Sequence, residues 1–80
     1  MKTVLFYKRK RCPLCDEAMI LLQMFQQDYH FEIKEIDIYS DDELLEKYQL
    51  SIPVIELEGE QLDGSQMNYI EMSQFFERKY

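Results

Sequence analysis

Cys12 and Cys15 are the two cysteines of the chain, set in Cys12-Pro13-Leu14-Cys15. A bridge between them closes a ring too small to restrain the unfolded chain appreciably, so its use is to be made and broken rather than to hold the fold. Zinc wants four ligands, and beyond the pair only His30 offers an imidazole, so the sequence predicts dithiol redox chemistry and no metal site. The pair follows the basic run Lys8-Arg9-Lys10-Arg11. Pro13 is tolerated in the first turn of a helix, where its missing N–H is not needed, and this places Cys12 at or beside the N-cap. Free N–H groups, the positive end of the helix dipole and the cations Arg9 and Arg11 all favour a thiolate there. Cys12 is therefore expected to ionise well below the range of a free thiol. Lower basicity raises the thiolate fraction and lowers its intrinsic nucleophilicity by a similar factor. The gain that survives is a faster-leaving Cys12 and a reduced form stabilised against the oxidised one. Lys8 and Lys10 read as solvated, as charge runs usually are, and Asp16 as a first-turn acid favoured by the dipole.

These residues need a scaffold, and the flanking pattern supplies it. Thr3 to Tyr7 is β-branched and aromatic without a break, the signature of a central strand buried on both faces. Ala18, Leu21, Leu22, Phe25 and Tyr29 form the apolar stripe of a helix predicted from Pro13 to Asp28. Phe31 to Ile38 reads as a second strand whose apolar positions change parity between Ile33 and Ile36, which suggests a bulge; Lys34 and Glu35 suit an edge. Ser40-Asp41-Asp42-Glu43 has the form of a capping box, and Leu44, Leu45 and Tyr48 give the short helix after it a buried side. Pro53 opens a third strand, Val54 to Leu57, and Glu58-Gly59 turns the chain into a fourth around Gln61 to Asp63. Gly64 ends that strand. Asn68 with Glu71 then caps a last helix with Tyr69, Met72, Phe75 and Phe76 on its inner face. His30 is expected in a surface loop and the methionines in the core.

The 80 residues make a single domain, 1–80, which at this length buries about 60–65% of its unfolded surface, so every element shares the core. A net charge of −7 argues against a nucleic-acid partner. Val4 to Tyr7 is too short for a signal-peptide core and no apolar stretch approaches a membrane span. A cytoplasmic, monomeric protein without membrane attachment is the expectation.

The order β-α-β-α-β-β-α, with Cys12-Pro13-Leu14-Cys15 after the first strand, Ser51-Ile52-Pro53 before the third and Gly64 before the last helix, resembles a glutaredoxin over nearly the whole chain. It more closely resembles the short bacterial glutaredoxin-like proteins. The resemblance implies an α/β thioredoxin-like fold, a four-stranded mixed sheet flanked by three helices, with a right-handed parallel first crossover and an antiparallel hairpin. It implies a thiol–disulfide oxidoreductase acting on protein disulfides or mixed disulfides, Cys12 attacking and Cys15 resolving. It further implies a cis Ile52–Pro53 bond, with the Ile52 main chain pairing with a substrate backbone beside Pro13 and Leu14. Arg9 matches the family's basic position before the first cysteine. Leu14 stands where glutaredoxins carry an aromatic, and Asp63-Gly64-Ser65-Gln66 where they carry a Gly-Gly-small-Asp segment that binds glutathione. Ser65 and Gln66 are thus the substrate-binding candidates there. No tightly bound cofactor is implied; the reductant is glutathione, which is also a candidate substrate component, or a thioredoxin-reductase-like flavoprotein. The alternative reading is a non-catalytic binding module or redox sensor.

Overall fold

Strand β1 (Lys2–Lys8) lies inside the sheet, with β2 (Phe31–Asp37) on one side and β3 (Val54–Leu57) on the other, and β4 (Glu60–Leu62) completes the order β2-β1-β3-β4. The computed structural model describes residues 1–80. β1 and β2 run parallel, in register from Lys2 opposite Phe31 to Lys8 opposite Asp37. β1–β3 and β3–β4 are antiparallel, so the sheet is mixed. Helices α1 (Pro13–Phe25), α2 (Asp42–Tyr48) and α3 (Tyr69–Lys79) flank it, and 3-10 turns at Ile38–Ser40 and Gly64–Gln66 precede α2 and α3.

The unbroken apolar run of β1 is explained by its two burdens. Val4 and Phe6 enter the larger core with Ala18, Leu22 and Phe25 of α1 and Met72, Phe75 and Phe76 of α3. Leu5 and Tyr7 face the smaller core on the opposite side, with Ile38, Val54 and Tyr48 at the end of α2. The Tyr7 and Tyr48 rings stack there at 4.5 Å. Burial raises the Tyr7 hydroxyl above its ordinary range, and the nearby Glu56 carboxylate adds to this.

The parity change in β2 has the same origin, and the expected bulge is absent. Pairing with β1 runs residue for residue, while Phe31 and Ile33 serve the larger core and Ile36 and Ile38 the smaller. β2 is an edge strand with Glu32, Lys34 and Glu35 exposed, as the charges indicated.

Three local expectations shift. Helix α1 stops at Phe25 rather than Asp28, because the Gln27 and Asp28 amides reach back three residues, to Met24 and Phe25, and tighten the turn. The N-cap of α2 is Asp41, whose carboxylate accepts from the Glu43 amide at 2.8 Å. Ser40 is occupied otherwise, its hydroxyl donating to the Asp37 carbonyl at 2.6 Å. A full capping box forms instead at Asp63 and Gln66. Tyr69, expected on the inner face of α3, is 56% exposed and lays its ring against Phe25 at the core margin. Asn68 caps α3 as predicted, accepting from the Glu71 amide at 2.9 Å.

The last turn of α3 is tied to β4 by Glu60, which receives Arg78 and Lys79. Hydrogen bonds from Arg78 and then Lys79 hold the Glu60 carboxyl below the usual carboxylate range. A depressed folded-state value stabilises the fold at neutral pH and loses that contribution as pH falls through it. Glu60→Gln is accordingly expected to lower the urea midpoint slightly at pH 7. The two midpoints should converge as pH is taken down through the carboxylate range, and a gap independent of pH would rule out this ion cluster as its source.

Candidate active site

The β1–α1 loop delivers Cys12 to the sheet end through a left-handed turn. Arg11 takes a φ of 56°, a conformation uncommon for residues with a Cβ, and Cys12 then returns to extended backbone as the N-cap. Pro13 follows in the first turn. The Cys12 carbonyl accepts the first helical bond, from the Asp16 amide at 3.0 Å, and the Cys12 sulfur accepts from the Cys15 amide at 3.2 Å. Cys12 and Cys15 are joined as a disulfide. An amide aimed at sulfur also favours a thiolate when the bond is opened. Both cysteines are largely buried, Cys12 at 6% exposure and Cys15 at 2%, so a partner arriving from solvent meets Cys12 first.

Arg9, Lys10 and Arg11 are exposed and engage in no ion pair. Lys8, expected to be solvated, instead bonds the Glu35 carboxylate of β2 at 2.8 Å.

The loop between α2 and β3 shares a groove with Leu14, the residue between Pro13 and Cys15. The Ile52–Pro53 bond is cis, as the resemblance implied, and Pro53 is buried. The Ser51 and Ile52 amides both donate to the Tyr48 carbonyl, at 2.8 and 3.1 Å. This corrects the expectation for Ile52: its N–H is taken within the chain, and its carbonyl, which has no hydrogen-bond partner, packs against Gly64.

Gly64 braces this loop. Its amide donates to the Ser51 carbonyl at 2.8 Å, and a Cβ at this position would lie 2.8 Å from the Ile52 carbonyl oxygen. Because the obstacle is backbone, it yields only if the loop moves. Gly64→Ala should therefore cost about 1–3 kcal/mol in a denaturant titration and shift the amide resonances of residues 51 and 52; a neutral change would show that the loop is free to give way. Before Gly64, the Asp63 carboxylate accepts from both the amide and the hydroxyl of Ser65, while the Gln66 side-chain oxygen accepts from the Asp63 amide at 3.2 Å.

Between these segments lies a groove of about 270 Å³. Leu14 and Leu50 border it, Ser51 and Ile52 belong to the proline loop, and Asp63 to Ser65 close it. Of the site residues expected from sequence, the structure gathers Leu14, Ile52 and Ser65 in this groove. Pro53 is buried and does not line it, Gln66 is engaged in the capping box, and Arg9, Arg11 and Pro13 lie outside. Leu50, Ser51, Asp63 and Gly64 were not foreseen as lining. The one signal for Leu50 is an apolar residue off the α2 stripe, just before Ser51-Ile52-Pro53.

The profile of the glutaredoxin-like domain family (DUF836) matches residues 3–77. The chain belongs to that family. Its glutaredoxin-like fold is shared by a protein from X. campestris, at 25% identity over 94% of this chain and 96% of that one, TM-score 0.78. Protein Ne2328 from Nitrosomonas europaea is 24% identical over 92% of this chain and 89% of its own, with the same TM-score of 0.78. A thioredoxin-like protein, BC3987, is similar at 20% identity over 91% of this chain and 97% of its own, TM-score 0.62. No helix is long and apolar enough to cross a membrane.

Proposed function

We propose that this glutaredoxin-like domain is a thiol–disulfide oxidoreductase that reduces protein disulfides or mixed disulfides. The observation that carries the reading is the Cys12 sulfur at the N-cap of α1, bonded to Cys15 and aimed at by the Cys15 amide. In the reduced protein the Cys12 thiolate attacks one sulfur of a substrate disulfide. The substrate S–S bond breaks, the departing sulfur takes a proton from solvent, and Cys12 is left in a mixed disulfide. The Cys15 thiol, three residues on and within bonding reach, loses its proton and attacks the Cys12 sulfur. The remaining substrate thiolate leaves, and two electrons have passed from the dithiol to the substrate. Exposed Arg9 and Arg11 add positive potential where Cys12 must carry charge. The oxidised pair is returned to the dithiol by glutathione or by a thioredoxin-reductase-like flavoprotein, as fits a monomer in a reducing cytoplasm.

Equilibration against glutathione redox buffers, read by mass after acid quench and alkylation, tests this reading. A single two-electron transition between dithiol and disulfide is expected, and a pair that stays in one state across the buffer range would remove the function. The small exposure of both sulfurs favours a second reading, a redox sensor without turnover. Alkylation of the reduced protein at pH 6 separates the two. An exchanging enzyme should modify Cys12 far faster than Cys15, whereas a sensor should modify both slowly.

A further inference from the structure

We infer that position 11 sets fold stability against redox poise: Arg11 occupies a left-handed backbone position that favours glycine, and its cation draws the dithiol toward the state in which Cys12 is a thiolate. This deepens the exchange reading above and rests on it.

Two residues with a Cβ have positive φ, Arg11 at 56° and Glu58 at 53°. Glu58 is accounted for by its hairpin. It joins β3 to β4 together with Gly59, at a φ of 84°, and a two-residue connection of this hand requires positive φ at both positions. Its carboxylate also meets Lys2 at 3.3 Å. Arg11 lies in no hairpin. As the lone left-handed residue of the β1–α1 loop, it turns the chain from exposed Lys10 to buried Cys12, which resumes extended backbone at a φ of −123°. The turn is needed, but a side chain there is not. With a Cβ the conformation is strained, whereas glycine adopts it freely.

The Arg11 side chain gains nothing in packing or pairing that offsets this strain. It is exposed, enters no ion pair, belongs to neither core cluster and lines no part of the groove. What distinguishes it is a full positive charge on the residue next to Cys12, in a chain of net charge −7. The other charges near Cys12 are Arg9 and Lys10 on the same loop, Asp16 in the first turn of α1, and Asp63 in the groove beside Leu14. Lys8 is paired with Glu35, and the core cluster that contains Cys12 has no charged side chain. Two glutathione thiols reduce the bridge: Cys12 keeps the charge, Cys15 takes one proton, the other proton goes to solvent, and glutathione disulfide leaves. A cation beside Cys12 favours the reduced side of that exchange and not the oxidised side, which has no thiolate. The strain is present on both sides.

Arg11→Gly, Arg11→Asn and Arg11→Lys separate the two effects. In the oxidised protein Arg11→Gly should raise the urea midpoint by at least about 0.3 M, Arg11→Asn should raise it by less, and Arg11→Lys should leave it unchanged. In the reduced protein, followed by ultraviolet absorbance of the thiolate, the pH midpoint of Cys12 should rise by about half a unit to one unit in Arg11→Gly and Arg11→Asn. That rise should shrink in about 1 M salt and be absent in Arg11→Lys. In glutathione buffers the two neutral variants should shift about threefold to tenfold toward the disulfide. A urea midpoint that fails to rise in Arg11→Gly would remove the strain. A Cys12 midpoint that stays within about 0.2 units in both neutral variants, or that Arg11→Lys fails to restore, would remove the cation; either result overturns the inference. A wild-type pair that does not equilibrate with glutathione would overturn the exchange reading instead, while the urea and absorbance comparisons still decide the role of Arg11.

Discussion

Cys12→Ser is expected to lower disulfide reduction at least about a thousandfold, to the background set by small thiols in solution, because it removes the atom that bonds to substrate. Cys15→Ser should behave differently. It keeps the N-cap sulfur and the amide aimed at it, so the first attack proceeds and the mixed disulfide, with no resolving thiol, accumulates. Mass spectrometry of each variant after exposure to a disulfide peptide should show a stable adduct on Cys15→Ser and none on Cys12→Ser. The reverse pattern would exchange the roles of the two sulfurs, and adducts of equal yield on both would remove the distinction between them. The buried, helical position of Cys15 argues for the assignment given, since a resolving thiol need meet only Cys12.

Phe76→Ala is the substitution expected to damage the fold most. Phe76 is fully buried, stacked on Phe31 at 4.9 Å, and contacted by Phe25, Tyr29 and Phe75. Its ring thereby joins α3 to both β2 and α1. Truncation removes the ring and leaves a cavity that three separate elements would have to close, a loss of about 3–5 kcal/mol. A chain of 80 residues has only about 4–12 kcal/mol in all, so the variant should unfold at much lower urea, with a substantial unfolded fraction at 37 °C. A loss below about 1 kcal/mol would mean that the aromatic cluster repacks around the gap. Cys12 and Cys15 belong to the same buried cluster as Phe76, so packing lost here also loosens the support of the redox site.

Much of this architecture could be read in advance because local patterns answered to local needs. The uninterrupted run in β1, the stripe of α1 and the Asn68 cap each state their environment in a few adjacent letters, and so does the cysteine motif. Legibility failed where two environments share one element or where distant segments meet. The parity change between Ile33 and Ile36 looked like a bulge because sequence does not tell which of two cores a strand serves along its length. Ser40 and Asp41 are both good caps, and the turn that captured Ser40 decided between them. The groove was the least legible part. It depends on Gly64 lying against the Ile52 carbonyl, on amides taken up by Tyr48 and Asp63, and on Leu50 left outside the helix, none of which has a spacing rule. Gln66 looked free to bind a ligand until the capping box engaged it.

The borders of the sheet carry a final implication. On one side β2 sets Glu32, Lys34 and Glu35 outward, and on the other β4 runs for only three residues. Neither margin invites another chain to lengthen the ladder, since charge repels stacking copies on the first and the second is too brief to template one. A protein proposed to exchange disulfides with other polypeptides thus keeps the margins of its own sheet closed to them.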